Sequence, residues 1–453
     1  MQSDSKLGTE KMLPLVFKMA LPSFMAQLVN LLYNIVDKIY IGHIEGIGRD
    51  ALAGVGITST VILIITAFAS LVGGGGSPLA AIELGRGNRE RAQQVLHNSF
   101  LMVLFFALVC TIVPYVVMEP VLRLAGGSDA TIPYAESYLS IYLIGTIFVM
   151  ITGGLNMFIN CQGRPGVAML SVVIGAVLNA ILDPVFIFGF NLGVKGAAIA
   201  TVISQAVSAT WVILFLTSRR ASLRIEIPKI RLSMPIVGKI SSLGIAPFVM
   251  ASTESLVIFA LSGQLYKYGS DAHVGALTVM QSAMQMLSVP LGGFAQGVIP
   301  ILSYNYGHKK PERVKECFKI CLAVMFTVNL VGMLFMILCP RLIGSMFTDS
   351  AEVIDIVVEY MPVFLLGMTI FGLQRTCQNT FVALGQSKIS LFIALLRKVI
   401  LLVPLAYILP ILMGVNGVYW AEAIADALAA TLCTLIFCIK FPKILAASLG
   451  TAE

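Results

Sequence analysis

The sequence predicts an all-α polytopic membrane protein, with twelve transmembrane helices in two pseudo-symmetric six-helix lobes. Of its 453 residues, 58% are hydrophobic and only 12% are charged, whereas a soluble globular protein carries about 25% charged residues. Apolar segments of membrane-spanning length recur along the whole chain. Short motifs of the first half also return in the second half in the same order, which indicates an internal duplication.

Polar and Gly/Pro-rich stretches divide the chain into apolar segments that we expect to be the transmembrane helices. Each is long enough to cross the hydrocarbon core of a bilayer. The twelve segments are residues 14–42, 52–76, 95–117, 134–157, 166–189, 195–217, 240–265, 276–299, 317–339, 358–383, 389–412 and 416–441.

Basic residues set the expected orientation. They concentrate in the tail MQSDSKLGTEK and in the loops that lie on its side of the membrane, so we expect both termini to be cytoplasmic. The net charge of +7 is explained by these loops and does not indicate a nucleic-acid partner. We expect the eight cysteines to be mostly buried free thiols, because most of them lie within apolar segments.

The longest polar connection, Ser218 to Ser233, separates the twelve segments into two sets of six. We therefore predict an N-lobe at residues 1–217, a cytoplasmic linker at 218–233 and a C-lobe at 234–453. The repeat pairs, which share nearly one offset, are Pro14 with Pro235, Lys18 with Lys239, Pro78 with Pro300, Gly85 with Gly307 and Gly193 with Gly414.

The first segment carries a proline and an aspartate that hydrocarbon alone does not tolerate well. Pro22 cannot donate a backbone hydrogen bond to the Lys18 carbonyl, so we predict a hinge there. A carboxylate near mid-membrane costs ~2.5–3.5 kcal/mol on insertion scales, so Asp37 should face a cavity, a cation or a proton. The alternative is that Asp37 lies near the outer headgroups or pairs with Lys38.

These features together resemble the multidrug and toxic compound extrusion (MATE) family of transporters, over essentially the whole chain. The resemblance is carried by the two sets of six segments, by Pro22 before Asp37, and by the stretches GGGGSPLAAIELGRGN and LNAILDPVFIFGFNLGVKGAAIAT. The pattern of N-lobe aspartates is similar to that of the DinF-like branch. The family implies two lobes that form a V around a central cavity.

A candidate cation site follows from the oxygen-bearing residues of three N-lobe segments, because such side chains suit a hard cation and two close carboxylates can hold a proton. The alternative for the Asn179–Asp183 pair is that it only joins helices. In the family resembled, the residues matching Asp37, Asn179, Asp183 and Thr201 form the cation site, with metal ligation if the ion is Na⁺. Tyr33 lies one turn before Asp37, and Asn156 falls where a cavity-lining asparagine is expected.

The C-lobe offers weaker candidates. Glu254 resembles the glutamate that the NorM-type branch uses for coupling, but the tenth segment supplies no carboxylate partner, and Arg375 is an alternative partner for Glu254. Glu422 and Asp426, at the repeat positions of Thr201 and Gln205, line a cavity or neutralise Arg397 and Lys398. Gln281 and Met284, on a methionine-rich segment, are candidates for an adaptable substrate surface or for plain packing.

We exclude an enzyme. The sequence contains no HExxH or GxSxG motif, and we expect no histidine within a membrane segment. The run Gly73 to Gly76 lacks the following GK[ST] of a phosphate-binding loop, so close packing or hinging explains it better.

The predicted function is a cation-coupled multidrug antiporter that uses H⁺ or Na⁺ and exports cationic or amphipathic organic compounds by alternating access. We expect no cofactor, a monomer in the bacterial plasma membrane, and an N-lobe cavity that is acidic. The alternative is a flippase for lipid-linked oligosaccharide or polysaccharide, which would need basic residues to hold pyrophosphate. Arg375, Arg397 and Lys398 are its support.

Overall fold

A computed structural model of the chain describes residues 2–449, with side chains from Lys6 onward except at positions 49 and 255. The described residues form helices and short connections, without a strand. The helices are α1 Gln2–Thr9, α2 Met12–Gly42, α3 Gly48–Gly85, α4 Arg89–Val116, α5 Met118–Leu124, α6 Ile132–Ile144, α7 Thr146–Cys161, α8 Pro165–Pro184, α9 Val194–Thr217, α10 Met234–Tyr268, α11 Asp271–Gly307, α12 Pro311–Leu338, α13 Pro340–Phe347, α14 Ala351–Phe364, α15 Phe371–Ala383, α16 Ser387–Leu395, α17 Val403–Met413 and α18 Val415–Ser448.

Two of the predicted spans are broken helices. Within residues 2–449, ten helical spans are long and apolar enough to cross a membrane by themselves. The fourth predicted segment is the pair α6 and α7, bent by 58°, and the tenth consists of α14 followed by the helical stretch Gly367–Ala383, bent by 48°. If each bent pair is one span, the total is twelve. The first break lies at Gly145 and the second at Leu366, which are matching positions of the duplication.

The fifth span of each lobe also departs from a regular α-helix. A π-helical segment, Val185–Gly189, follows α8, and another, Leu396–Leu402, joins α16 to α17. Such segments widen the helix and occur frequently at functional sites. The second one carries Arg397 and Lys398, whose side chains are both buried.

The two lobes pack closely at one end. There α10 lies against α3, and α11 lies against α2 and α3. A Cβ atom at Gly75 would stand 2.7 Å from the Gly244 nitrogen, and one at Gly74 would stand 2.8 Å from the Pro247 ring. Side chains at these positions would force the lobes apart, so the glycine run serves close packing, as predicted. This end carries the loops that we expect to be cytoplasmic.

The N-terminal tail is ordered against this closed end. Residues Gln2–Thr9 form α1, which packs on α11. The Leu7 side chain is buried, and the Leu7 carbonyl accepts a hydrogen bond of 3.0 Å from the Asn305 amide. Arg313 donates to the Glu10 carbonyl at 2.8 Å. The tail therefore belongs to the folded structure, which its polar sequence did not indicate.

The connection between the lobes is fixed to the N-lobe. Our expectation that no histidine lies within a membrane-spanning helix is wrong, because His97 is a buried residue of α4. Its Nε2 atom lies 3.2 Å from the Glu226 backbone nitrogen. The other bonds that hold the connection are Arg89 to the Ser222 carbonyl at 2.6 Å, Gln162 from the Leu223 N–H at 3.0 Å and Asn98 from the Ser233 N–H at 2.8 Å.

All eight cysteines lie within the described residues, and none forms a disulfide. Six of them are buried, as their positions in apolar segments indicated.

Candidate cation and substrate site

The fold brings four of the predicted N-lobe residues together from α2, α8 and α9. Asp37, Asn179, Asp183 and Thr201 are all at least nine-tenths buried. The Asn179 amide donates to the Asp183 carboxylate at 3.2 Å and to the Thr201 hydroxyl at 3.4 Å. The four-residue spacing of Asn179 and Asp183 places both on one face of α8, as the sequence indicated.

The carboxyl groups of Asp37 and Asp183 lie within hydrogen-bonding reach of each other. Two ionised carboxylates this close in a buried site repel each other, so the pair requires a shared proton or a bound cation. Three oxygen atoms of the site have no hydrogen-bond partner among the described residues: Oδ1 of Asp37, Oδ2 of Asp183 and Oδ1 of Asn179. These atoms fit a hard monovalent cation as well as a proton.

Asp37 does not use its neighbour as a counter-ion. Within the described part of the chain it forms no salt bridge, and the adjacent Lys38 side chain is exposed. Pro22 lies one half-helix away, and α2 continues through it from Met12 to Gly42. The hinge at Pro22 stays a prediction.

Tyrosines surround the acidic pair. Tyr138 and Tyr142 of α6 stack with ring centroids 6.0 Å apart, and the Tyr138 hydroxyl reaches Thr201. Tyr33 lies near both carboxylates. The sequence analysis did not single out Tyr138 and Tyr142, although their four-residue spacing on one segment was a usable signal.

An N-lobe cavity of about 360 Å³ adjoins this cluster. Asn179 and Thr201 belong to both the cluster and the cavity wall. The described wall contains no charged side chain, so the cavity is polar but not acidic as expected; the two acids adjoin it instead. Its polar lining residues are Ser23, Gln27, Asn30, Tyr33, Asn34, Thr66, Ser70, Tyr142, Thr152, Asn156, Asn160, Asn179, Thr201, Ser204, Gln205, Ser208 and Gln296.

The C-lobe contains ion pairs instead. Lys398 forms a short salt bridge with Glu254 and donates to the Met250 carbonyl at 3.1 Å. Arg397 pairs with Asp426 at 2.5 Å and approaches Glu422 at 3.6 Å. Neutralisation of Arg397 by the two acids of α18 is therefore confirmed, whereas Lys398 has a different partner.

The suggested Arg375–Glu254 pair is wrong. Glu254 is occupied by Lys398, and Arg375 donates to the Ser288 carbonyl at 2.9 Å. The cause is the π-helical segment, which presents Lys398 to α10. Met284 is buried in the apolar core of the C-lobe, a packing environment. Gln281 is half-buried and does not line the N-lobe cavity.

Two helical lobes of membrane-spanning length, with a polar cavity inside one of them, define a membrane transporter rather than an enzyme. The MatE family model matches residues 22–185 and matches again at residues 247–408. The chain therefore belongs to the MatE family. The second match falls in the half of the chain that the sequence motifs identified as a duplicate.

Curated relatives include the multidrug export protein MepA of Staphylococcus haemolyticus, 23% identical over 417 residues, and MepA of Staphylococcus aureus, 24% identical. Each alignment covers 92% of this chain and 91% of the relative.

Solved structures share the fold at low identity. A crystal structure of MATE in the bent conformation superposes with a TM-score of 0.91 at 22% identity, over 99% of both chains. An outward-facing multidrug resistance MATE family transporter gives 0.90 at 22% identity, over 98% of this chain and 99% of the other. A transporter of Pyrococcus furiosus, described as having a binding pocket of reverse polarity, gives 0.91 at 23% identity with the same coverage.

Proposed function

We propose that this chain is a cation-coupled multidrug antiporter, driven by H⁺ or Na⁺, that exports organic compounds through the N-lobe cavity. The observation that carries the proposal is the buried Asp37–Asp183 pair, which adjoins an uncharged polar cavity and lacks a basic partner among the described residues. Such a pair binds a monovalent cation and releases it when the site is remodelled.

Coupling follows from linkage between two ligands of one lobe. Asn179 and Thr201 touch the acidic cluster and also form the cavity wall. A cation bound at Asp37 draws α2 toward α8, which narrows the cavity and lowers its affinity for an organic compound. The reciprocal effect holds as well, so a bound compound expels the cation. One charge that moves through 100 mV supplies ~2.3 kcal/mol to this exchange.

The substrate class rests on the cavity and on the relatives. A volume of about 360 Å³ lies within the range of small-molecule sites. Amides, hydroxyls and the rings of Tyr33 and Tyr142 offer hydrogen bonds and flat apolar surface. The relatives named as multidrug export proteins support compounds of varied structure.

We place the protein as a monomer in the bacterial plasma membrane, with both termini cytoplasmic. The basic loops support this orientation. In it, the closed end formed by Gly75, Gly244 and α1 faces the cytoplasm, and the cavity side of the lobes opens outward. The flippase alternative has little support, because Arg397 and Lys398 are held by carboxylates and have little charge left for pyrophosphate.

Flux measurements in proteoliposomes test the function. Protein in the membrane should accumulate or release a fluorescent organic cation when a Na⁺ or an H⁺ gradient is imposed separately, and only the coupling gradient should drive the flux. Asp37→Asn in parallel should remove the driven flux. Asp129→Asn is the matched control, since Asp129 pairs with Arg123 on the surface. Flux that ignores both gradients would contradict the proposal.

A further inference from the structure

The last helix contains two buried carboxylates that share one guanidinium. Glu422 and Asp426 lie one turn apart on α18, with side-chain exposures of 5% and 0%. Arg397 contacts Asp426 at 2.5 Å and Glu422 only at 3.6 Å. The second oxygen of each acid, Oε2 of Glu422 and Oδ2 of Asp426, has no hydrogen-bond partner among the described residues.

The other charged groups of the C-lobe do not supply the missing positive charge. Lys398 is committed to Glu254 of α10. Arg375 of α15 donates to the Ser288 carbonyl and lies over the Phe371 ring. Two acids with a single cation in a buried site carry an uncompensated negative charge, which costs several kcal/mol unless a further cation binds.

The position of these acids in the duplication is informative. The offset of 221 residues that relates Gly193 to Gly414 also relates Thr201 to Glu422 and Gln205 to Asp426. Thr201 belongs to the N-lobe acidic cluster, so the C-lobe acids occupy the equivalent place on the sixth span.

We propose that Glu422 and Asp426 bind a shared proton, which makes the C-lobe a second proton-binding site. The proton resides on the two oxygens that lack partners and compensates the carboxylate that Arg397 leaves over. The site is distinct from the Asp37–Asp183 pair, because it belongs to the other lobe and contains its own basic residue.

The same network gives the proton a release route that rests on the proposed function. The Glu254 side chain is 37% exposed, whereas Lys398 is 9% exposed, so an organic cation can reach Glu254 and replace Lys398 there. The freed ammonium group then neutralises Glu422, and the proton leaves to solvent. One positive charge enters and one leaves, so the charge of the buried network is unchanged.

Infrared spectroscopy tests the proton directly. The wild type at neutral pH should show the C=O stretch of an unionised carboxyl group that is lost in Glu422→Gln. It should also be lost in Asp426→Asn, because Glu422 then has Arg397 to itself and ionises. Glu312→Gln, an exposed acid paired with Lys315, should change nothing. If neither α18 variant removes the band, the shared proton is refuted.

Proton release tests the route. In the Asp37→Asn background, tetraphenylphosphonium should displace a proton from detergent-solubilised protein into weakly buffered solution, in proportion to the bound cation. The release should vanish in Asp37→Asn/Glu422→Gln. Release that persists in the double variant would overturn the route. If the cation fails to bind every variant, the proposed substrate class and the route are wrong, while the infrared result still decides the proton site.

Discussion

The two lobes share a helical plan but differ in how they treat buried charge. Repeat positions that line an uncharged cavity in the N-lobe carry ion-paired side chains in the C-lobe. The pairs are Tyr33 with Glu254, Ala176 with Arg397, Thr201 with Glu422 and Gln205 with Asp426. The duplication therefore conserved the scaffold while one lobe kept an open cavity and the other filled the equivalent space.

The difference indicates where coupling resides. A carboxylate with a fixed basic partner gains little from an external cation, whereas an acidic pair without one binds a cation strongly. Asp37 and Asp183 have no basic partner among the described residues. In the C-lobe, Glu254 and Asp426 each have one, and only Glu422 is left over.

The largest effect should follow from removal of the N-lobe charge. Asp37→Asn should abolish drug resistance in an efflux-deficient host while expression stays intact, because the acidic pair no longer requires a cation. Resistance assays with quantified membrane expression measure this. Near-normal resistance would refute the coupling role of Asp37.

Breaking the C-lobe network should affect stability more than chemistry. Arg397→Gln leaves Asp426 and Glu422 without compensation and should cost roughly 3–5 kcal/mol, the usual loss when one partner of a buried ion pair is removed. Thermal unfolding in detergent measures the effect. Arg341→Gln, which breaks the exposed pair with Asp355, should change stability by about 0–1 kcal/mol. Equal effects of the two variants would contradict the burial argument.

A moderate effect is expected at the hinge. Pro22→Ala restores the N–H donor to the Lys18 carbonyl and should cut transport without abolishing drug binding, because α2 bends less readily. Transport and equilibrium binding are measured on the same preparation. Pro442→Ala, an exposed proline inside α18, should leave both unchanged. Loss of binding in Pro22→Ala would instead indicate a packing role.

The smallest transport effect should come from Glu254→Gln. It removes the partner of Lys398 but leaves the N-lobe pair intact, so the transport rate should fall less than in Asp37→Asn. A loss as large as that of Asp37→Asn would place coupling in the wrong lobe.

Much of the N-lobe site could be predicted from the sequence, because spacing along one helix fixes a shared face. The Asn179–Asp183 contact of 3.2 Å is such a case. Cross-helix partners were harder to predict. Arg375 and Lys398 are both basic residues of the C-lobe, and only the π-helical segment decides which one meets Glu254.

Structural elements with weak apolar patterns were also missed. The tail forms α1 because Leu7 and the backbone carbonyls find partners on α11 and α12, and no local pattern encodes that docking. The bend at Gly145 interrupts a segment whose hydrophobicity is continuous. Hydrophobic length predicts that a segment crosses the membrane, not that its helix is straight.

The most direct test of the central claim is competition between cation and drug at equilibrium. In purified wild-type protein, the apparent dissociation constant of a fluorescent organic cation should rise as the coupling cation, Na⁺ or H⁺, is increased, since the two ligands oppose each other in the N-lobe. In Asp37→Asn this dependence should disappear, with the drug still bound. An Asp37→Asn variant whose drug affinity keeps the wild-type cation dependence would contradict the account.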